Sequence, residues 1–150
     1  MTLTYVNSIT EIKEEQLNGF FVAWPNPPSA KVHYKILKES SYFWAAVDSD
    51  TLKVVGFINA ISDNTLSAYI PLLEVLPAYQ DHGIGQKLVE LMIDSLDNLY
   101  MIDVVCDENV VEFYKPLGFI KGSSMMLRNP EKQAGNTYDR QPVKDLTRRR

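Results

Sequence analysis

Residues 69–96 read YIPLLEVLPAYQDHGIGQKLVELMIDSL, and the fold of the whole chain turns on how this stretch is taken. It opens as a mostly apolar run, breaks at Pro77, turns through Gly83 and Gly85, and takes up helical spacing from Leu88 onward. Strand, glycine turn, helix is a way to build an anion site, because the first amides of a helix have no internal partner and point outward together. The glycines let a ligand such as a phosphate come close to the main chain. Neither standard nucleotide motif is complete. A GxGxxG reading would need glycine or alanine at Leu88, and no GxxxxGK[ST] occurs. A nucleotide-phosphate-binding protein built on the same turn is therefore the less favoured reading.

The detailed spacing is more specific. A strand ending in Val75, then Pro77, Gln80, Gly83 and Gly85 (QDHGIG) with a helix directly after, resembles the acetyl-CoA-binding motif of the GCN5-related N-acetyltransferase (GNAT) family. That motif runs Gln or Arg, two residues, Gly, one residue, Gly or Ala. Downstream, MIDVVCDENVVEFYKPLGF from Met101 to Phe119 resembles the family's second hallmark: a strand, a short helix carrying a tyrosine, then a turn into Gly-Phe. The resemblance covers residues 3 to 128 in outline and is sharp from 69 to 119. It implies an enzyme that moves an acetyl group from acetyl-CoA to a primary amine by direct attack, without a metal. An acyl-CoA-binding or regulatory module that keeps the grip but has lost the acceptor chemistry is the alternative.

Length and composition set bounds. At 150 residues the chain has the size of one domain, predicted over 1–128, followed by a polar, basic C-terminal tail over 129–150. No apolar stretch approaches the roughly 20 residues that span a bilayer. The start, MTLTYVNSITEIKEEQ, has neither a basic lead nor an apolar core, so a cytoplasmic protein without a secretion signal is expected. Cys106 is the single cysteine, which excludes an internal disulfide, and no paired Cys and His spacing suggests zinc. The net charge of −4 divides into +3 for residues 129–150 and −7 for the rest. An acidic body disfavours nucleic acid and suits cationic partners, here a small-molecule or peptide amine. No membrane partner is expected, and a homodimer through the basic tail or the final strand is left open.

In chain order, Leu3 to Val6 reads as an edge strand, and Ser8 or Thr10 as the cap of a helix through Leu17. GFFVAWPNPPSA, residues 19–30, is an aromatic run leading into a proline-rich turn. A second helix follows Ser29 and runs to about Lys38, with Val32, Ile36 and Tyr34 inward and His33 as a packing or surface residue. SYFWAAVDS and KVVGFINAIS form an antiparallel hairpin, and DNTLSAYIPLLEV a central strand buried on both faces. Leu88, Leu91, Met92 and Leu96 turn the next helix onto the sheet, with Glu90 and Asp94 outside. Met101 to Cys106 is a strand, Val110 to Leu117 a short helix, and Phe119 to Leu127 the last strand or pair of strands. The predicted class is α/β (α+β): a mixed, mainly antiparallel sheet with helices on both faces, which the resemblance identifies with the acyl-CoA N-acyltransferase fold.

The resemblance distributes roles. The amides of His82, Gly83, Ile84, Gly85 and Gln86 would grip the cofactor pyrophosphate, with Gln80 and Lys87 as side-chain contacts. His82 stands where relatives often carry Lys or Arg, so its protonated form is expected to add to that grip. Leu73 and Val75 would pair through their backbone with the pantetheine arm, and one of their N–H groups would polarise the thioester carbonyl. Asp107 stands where relatives often have a cofactor-contacting Asn, and an ionised Asp accepts but does not donate. Tyr114, in FYKPLGF, is the general-acid candidate. Glu74, the only carboxylate in its strand, is read either as a base or anchor for the incoming amine or as a structural partner. Trp24 and Tyr69 are expected to line the acceptor site. Cys106, with no histidine near it in sequence, is read as core rather than as a nucleophile.

Overall fold

The computed structural model describes residues 1–136. Its sheet places β1 (Leu3–Val6), β2 (Tyr42–Asp48), β3 (Lys53–Ser62), β4 (Ser67–Ile70) and β6 (Met101–Val104) side by side, while β5 (Leu73–Val75) pairs with β3 further along. Only the β4–β6 pairing is parallel. Three helices accompany it: α1 (Ala30–Glu39), α2 (Ile84–Ser95) and α3 (Val111–Tyr114). One apolar core, from Ile12 to Tyr114, underlies these elements.

Neighbouring residues of a strand face opposite sides of its sheet, and Gly56 and Phe57 show what covers each side. A Cβ at Gly56 would lie 3.1 Å from Ile84 Cγ2 and 3.2 Å from Leu88 Cδ1, so the missing side chain lets α2 settle directly on β3. The Phe57 ring faces the other way, 4.2 Å between centroids from the ring of His33 on α1. Helices therefore cover both faces, as predicted. α1 starts as its sequence suggests: the Ser29 hydroxyl accepts a hydrogen bond from the Val32 amide at the N-cap.

The strand expected to run unbroken through Val75 is instead two strands. Register fixes the break. Ile61 stands opposite Tyr69, but Ile58 stands opposite Leu73, so Ile70 and Pro71 together face the single residue Ala60. This is a β-bulge, and proline, which has no N–H to offer a ladder, is one of the residues a bulge tolerates. Asn59 holds it. Its backbone N–H donates to Leu72 O at 3.2 Å, and its side-chain Oδ1 accepts from the Leu72 amide at 3.1 Å. The buried carboxamide is completed by Nδ2 donating to Ser40 Oγ at 3.0 Å, just beyond α1. β5 is consequently half-buried rather than covered on both faces.

Three further expectations are corrected. Ser8 to Leu17 forms two 3₁₀ turns, Ile9–Glu11 and Glu14–Leu17, not one helix, because Ile12 between them is extended and only Ile12 and Leu17 reach the core. On α1 the buried positions are His33 and Leu37, with Val32, Tyr34 and Ile36 half-buried. Phe119 to Leu127 carries no strand, helix or turn, and pairs with nothing in the sheet. The start of the expected tail folds back, the Asn26 amide donating to Gln133 Oε1 at 2.7 Å. The rest of the basic tail, Arg148 to Arg150 included, lies outside the described residues.

His33 is 1 % exposed, is ringed by Phe20, Phe21 and Phe57, and has neither ring nitrogen hydrogen-bonded. Desolvation lowers its pKa to about 4. Between there and the ordinary value of 6.5, the unfolded chain binds a proton that the folded chain refuses, so stability falls as pH drops through that window. From pH 7 to pH 5 the loss is expected to be about 2 kcal/mol. His33→Phe should remove that slope and stabilise the protein by about 1 kcal/mol at pH 7, by eliminating two unpaired polar atoms. Urea denaturation at both pH values checks this; an unchanged slope in the variant would assign the pH dependence elsewhere.

Candidate active site

Past the bulge, β5 leaves β6, and the gap between them is a cavity of about 610 Å³. Its walls include Leu73, Glu74 and Val75 on one side, Cys106, Asp107 and Tyr114 on the other, and Val22 and Trp24 at one end. In an antiparallel ladder alternate residues direct both backbone groups at the partner strand. Leu76 N–H donates to Val55 O and Asn59 N–H to Leu72 O, so residues 72, 74 and 76 face β3. Leu73 and Val75 therefore turn their N–H and C=O groups outward, to the open edge. Gln80 Nε2 takes the Val75 carbonyl at 3.0 Å. The Leu73 N–H, the Leu73 carbonyl and the Val75 N–H are left to face the gap, a short ladder ready for an amide-bearing chain.

The glycine turn lies beside this edge. Gly83 is the N-cap of α2 with φ of 76°, a left-handed angle that glycine adopts without strain. The amides of His82, Gly83, Ile84, Gly85 and Gln86 make no hydrogen bond among the described residues, the condition for an anion site at a helix start. A Cβ on Gly85 would lie 3.7 Å from Val75 Cγ2 and 3.5 Å from Phe113 Cζ, so the amides and the open edge are immediate neighbours. Lys87 is exposed, one turn in. Gln80 is engaged with Val75 and Gln86 with Glu90, so neither side chain is free for the pyrophosphate in this conformation. His82 Nδ1 lies 2.9 Å from Gln80 O; since a carbonyl only accepts, Nδ1 carries the hydrogen and Nε2 is the outward nitrogen.

Tyr114 stands across the cavity, 6 % exposed, with the Phe113 and Phe119 rings at centroid distances of 4.9 and 5.4 Å. Burial first, and the nearby Cys106 second, push its phenol up to about 12. The hydroxyl keeps its proton throughout the neutral range, as a proton donor requires and a base would not. Asp107 lines the same wall. Cys106 is half-buried there, and neither histidine of the chain lines the cavity.

Glu74 reaches the end of the cavity formed by Val22 and Trp24. One of its oxygens accepts from the Phe21 amide at 2.8 Å and the other from the Val22 amide at 3.2 Å. It holds a loop in which Phe21 and Ala23 have φ of 60° and 66°, left-handed angles costly for residues with side chains. Glu74 thus has structural partners in these two amides, and it also lines the cavity. Trp24 lines the cavity, packed at 4.9 Å against Phe21. Tyr69 does not. It lies on β4, before the bulge, between Ile61 and Asp103 of the neighbouring strands. Met126 and Arg128, from the segment after Phe119, also line the cavity. Nothing in the sequence announced them, because the segment looked like an ordinary last strand. Asn59 was equally unannounced, although an amide inside a ten-residue apolar strand is a signal of a bulge.

Among the described residues no group of three His, Cys, Asp or Glu could hold a metal ion, and no helix is long and apolar enough to cross a membrane. Residues 9–119 match the Acetyltransferase (GNAT) family. Of curated relatives, GCN5-related N-acetyltransferase 1, chloroplastic, from Arabidopsis thaliana is 29 % identical over 71 % of this chain and 55 % of its own length. The uncharacterized N-acetyltransferase ycf52 of Pyropia yezoensis is 35 % identical over 67 % of this chain and 59 % of its own. The chain thus spans little more than half of these curated relatives. A crystal structure from Deinococcus radiodurans R1, assigned as an acetyltransferase, is 38 % identical with a TM-score of 0.88, over 91 % of this chain and 94 % of that one.

The Glu74 contacts make a local prediction. Glu74→Ala should free the Phe21 and Val22 amides, at a cost of about 1–3 kcal/mol for hydrogen bonds to a charged group. Hydrogen exchange at those two amides should accelerate and Trp24 fluorescence should shift, while the core strands keep their protection. Unchanged exchange at Phe21 and Val22 would show that the loop is held by its aromatic packing alone.

Proposed function

This chain belongs to the acetyltransferase (GNAT) family, and from that premise we propose that it transfers the acetyl group of acetyl-CoA to a primary amine, on a small molecule or a peptide, by direct attack. One juxtaposition carries the reading: three free backbone groups on the open edge of β5, bordered by the unpaired amides at the start of α2, and facing a protonated tyrosine across the cavity. The edge suits a chain of amides, the helix start suits a pyrophosphate, and the phenol suits a departing sulfur. Acetyl-CoA supplies the activated acyl group as a thioester. A nucleotide alone would leave the β5 edge without a purpose.

Each residue then has work of its own. The amides of residues 82–86 bind phosphate, with the exposed Lys87 adding positive charge near it. The Leu73 and Val75 backbone aligns the pantetheine arm, and one N–H there polarises the carbonyl. Tyr114 delivers its phenolic proton to the sulfur. Glu74, fixed by the loop amides, presents a negative charge to the incoming ammonium and takes up its proton directly or through water. Trp24 and Val22 form the apolar wall beside it. We further infer an aqueous, reducing compartment, the cytoplasm, in which Cys106 on the cavity wall stays a thiol.

Calorimetric titration with acetyl-CoA, with ATP and NAD as controls, should find binding of acetyl-CoA alone. Binding of ATP or NAD instead would overturn the reading, and acetyl-CoA binding with no thiol release across an amine panel would reduce the protein to a binding module. In an active pairing, Tyr114→Phe should lower kcat by about 10²–10⁴-fold with little change in acetyl-CoA affinity. Because the phenol titrates only near 12, the wild-type rate should show no alkaline fall from Tyr114 below that pH. Glu74→Gln should raise the amine KM more than the acetyl-CoA KM; equal effects on both would confine Glu74 to holding the loop.

A further inference from the structure

The stretch after Phe119 gives the cavity a cation. Among the described residues that line it, Arg128 is the only lysine or arginine, and it shares the space with two carboxylates, Glu74 and Asp107. It forms an ion pair with neither, nor with any other carboxylate among the described residues. Its two hydrogen bonds are long and local: Nη1 donates to Leu127 O at 3.4 Å and Nη2 to Met126 Sδ at 3.5 Å. A guanidinium holds five N–H donors in a planar fork that matches a carboxylate, so most of the recognition capacity of Arg128 is unused.

The contacts on either side show which part of the cavity this cation serves. The stretch starts at the Tyr114 wall, where the Phe119 N–H donates to Tyr114 O at 3.4 Å and the two rings pack. It ends on the loop that carries Trp24, because Gln133 Oε1 accepts from the Asn26 amide. A Cβ on Gly135 would lie 2.7 Å from Val32 Cγ1, so the chain there is pressed against α1. Arg128 is five residues from the Gln133 anchor and nine from Phe119, and Met126 lines the cavity beside it. The start of α2 already answers to a pyrophosphate in the acetyl-transfer reading. A guanidinium tethered to the Trp24 loop is left for an anion on the acceptor.

A carboxylate and an unpaired guanidinium in one cavity are complementary to a molecule that carries both an ammonium and a carboxylate. Such a molecule has no net charge, so the −7 of residues 1–128 does not repel it. A polyamine, by contrast, would meet Arg128 as a like charge inside the site. We propose that the acceptor is a free amino acid with an apolar side chain: its amine lies at Glu74, its carboxylate on the Arg128 fork, and its side chain against Val22, Trp24 and Met126. The inference rests on the acetyl-transfer reading and names the acceptor class within it.

The test measures thiol release from acetyl-CoA with L-phenylalanine, L-methionine and L-leucine, each beside the amine that lacks its carboxylate: phenethylamine, 3-(methylthio)propylamine and isopentylamine. At least one amino acid should exceed its partner amine in kcat/KM by about ten- to a hundredfold, the worth of hydrogen bonds between charged groups. Arg128→Gln, at an exposed position, should raise the KM of that amino acid by the same factor while leaving the partner amine and the acetyl-CoA KM unchanged. Arg128→Lys should restore part of the preference, since a point charge replaces the fork. Equal use of amino acids and amines, or a preference indifferent to Arg128→Gln, would overturn the proposal. So would a rise in the acetyl-CoA KM alone, which would assign Arg128 to the cofactor phosphates. Calorimetry of the same amino acids on the protein, with and without CoA, separates the two readings. Binding that Arg128→Gln abolishes, without thiol release from any amine, would sustain the recognition and refute the transfer; turnover of amines without any binding or use of amino acids would do the reverse.

Discussion

The rest of the site depends on a one-residue slip in a strand pairing. Were Ile70 and Pro71 not both set against Ala60, the chain from Ser67 to Val75 would stay a single strand and could remain beside β6, where the edge would be filled by its neighbour. The bulge turns β5 aside and opens the cavity. It also sets which amides look outward, because shifting a register by one exchanges the groups that bond to β3 with those that do not. Pro71 makes the regular ladder unavailable at that point, and Asn59 replaces the missing main-chain contact with a side-chain one. That Asn59 is in turn bonded to Ser40 beyond α1 ties the opening of the sheet to a helix on its face.

β5 then orients both ends of the site. Its backbone presents the open edge through Leu73 and Val75, while the Glu74 side chain between them reaches the loop that carries Trp24. The loop is strained: left-handed angles at Phe21 and Ala23 cost on the order of 1–3 kcal/mol each. Two charge-assisted hydrogen bonds, donated by the Phe21 and Val22 amides to Glu74, are of similar size and oppose the strain directly. The open edge and the Trp24 end of the cavity are therefore positioned by one three-residue strand, and a change in its direction moves both together.

Much of this was legible in the sequence where it depended on local chemistry. The Ser29 cap, the hairpin from Tyr42 to Ser62, the glycine turn into α2 and the Tyr114 helix all announce themselves through residue type and spacing. What was hidden depended on tertiary geometry. Pro71 sat in plain view, but a proline marks a break without giving the register on either side. Glu74 could be singled out as an unusual carboxylate, yet its partners are amides 52 and 53 positions away. Tyr69 shares an apolar run with Leu73, and only the bulge between them leaves one outside the cavity and the other on its wall. Phe119 to Leu127 suggested a strand, but a local pattern does not say whether any sheet edge lies within reach of it, and in the structure the segment pairs with none.

The ring of Phe113 shows how the start of α2 and Tyr114 are held in relation. Its centroid lies 4.9 Å from that of Tyr114, with the two rings nearly perpendicular, and its Cζ lies 3.5 Å from where a Cβ on Gly85 would be. At 3.5 and 3.7 Å a single methyl would make ordinary contact with Phe113 and Val75, so alanine at 85 fits, whereas any longer side chain would enter one of them. Displacing Phe113 would shift the Tyr114 ring packed on it, and displacing Val75 would disturb the open edge. The restriction to glycine or alanine that marks this position in the sequence motif is thus, in this chain, a packing rule: the second small residue of the turn keeps the helix amides, the strand edge and the phenol in register through one shared aromatic contact.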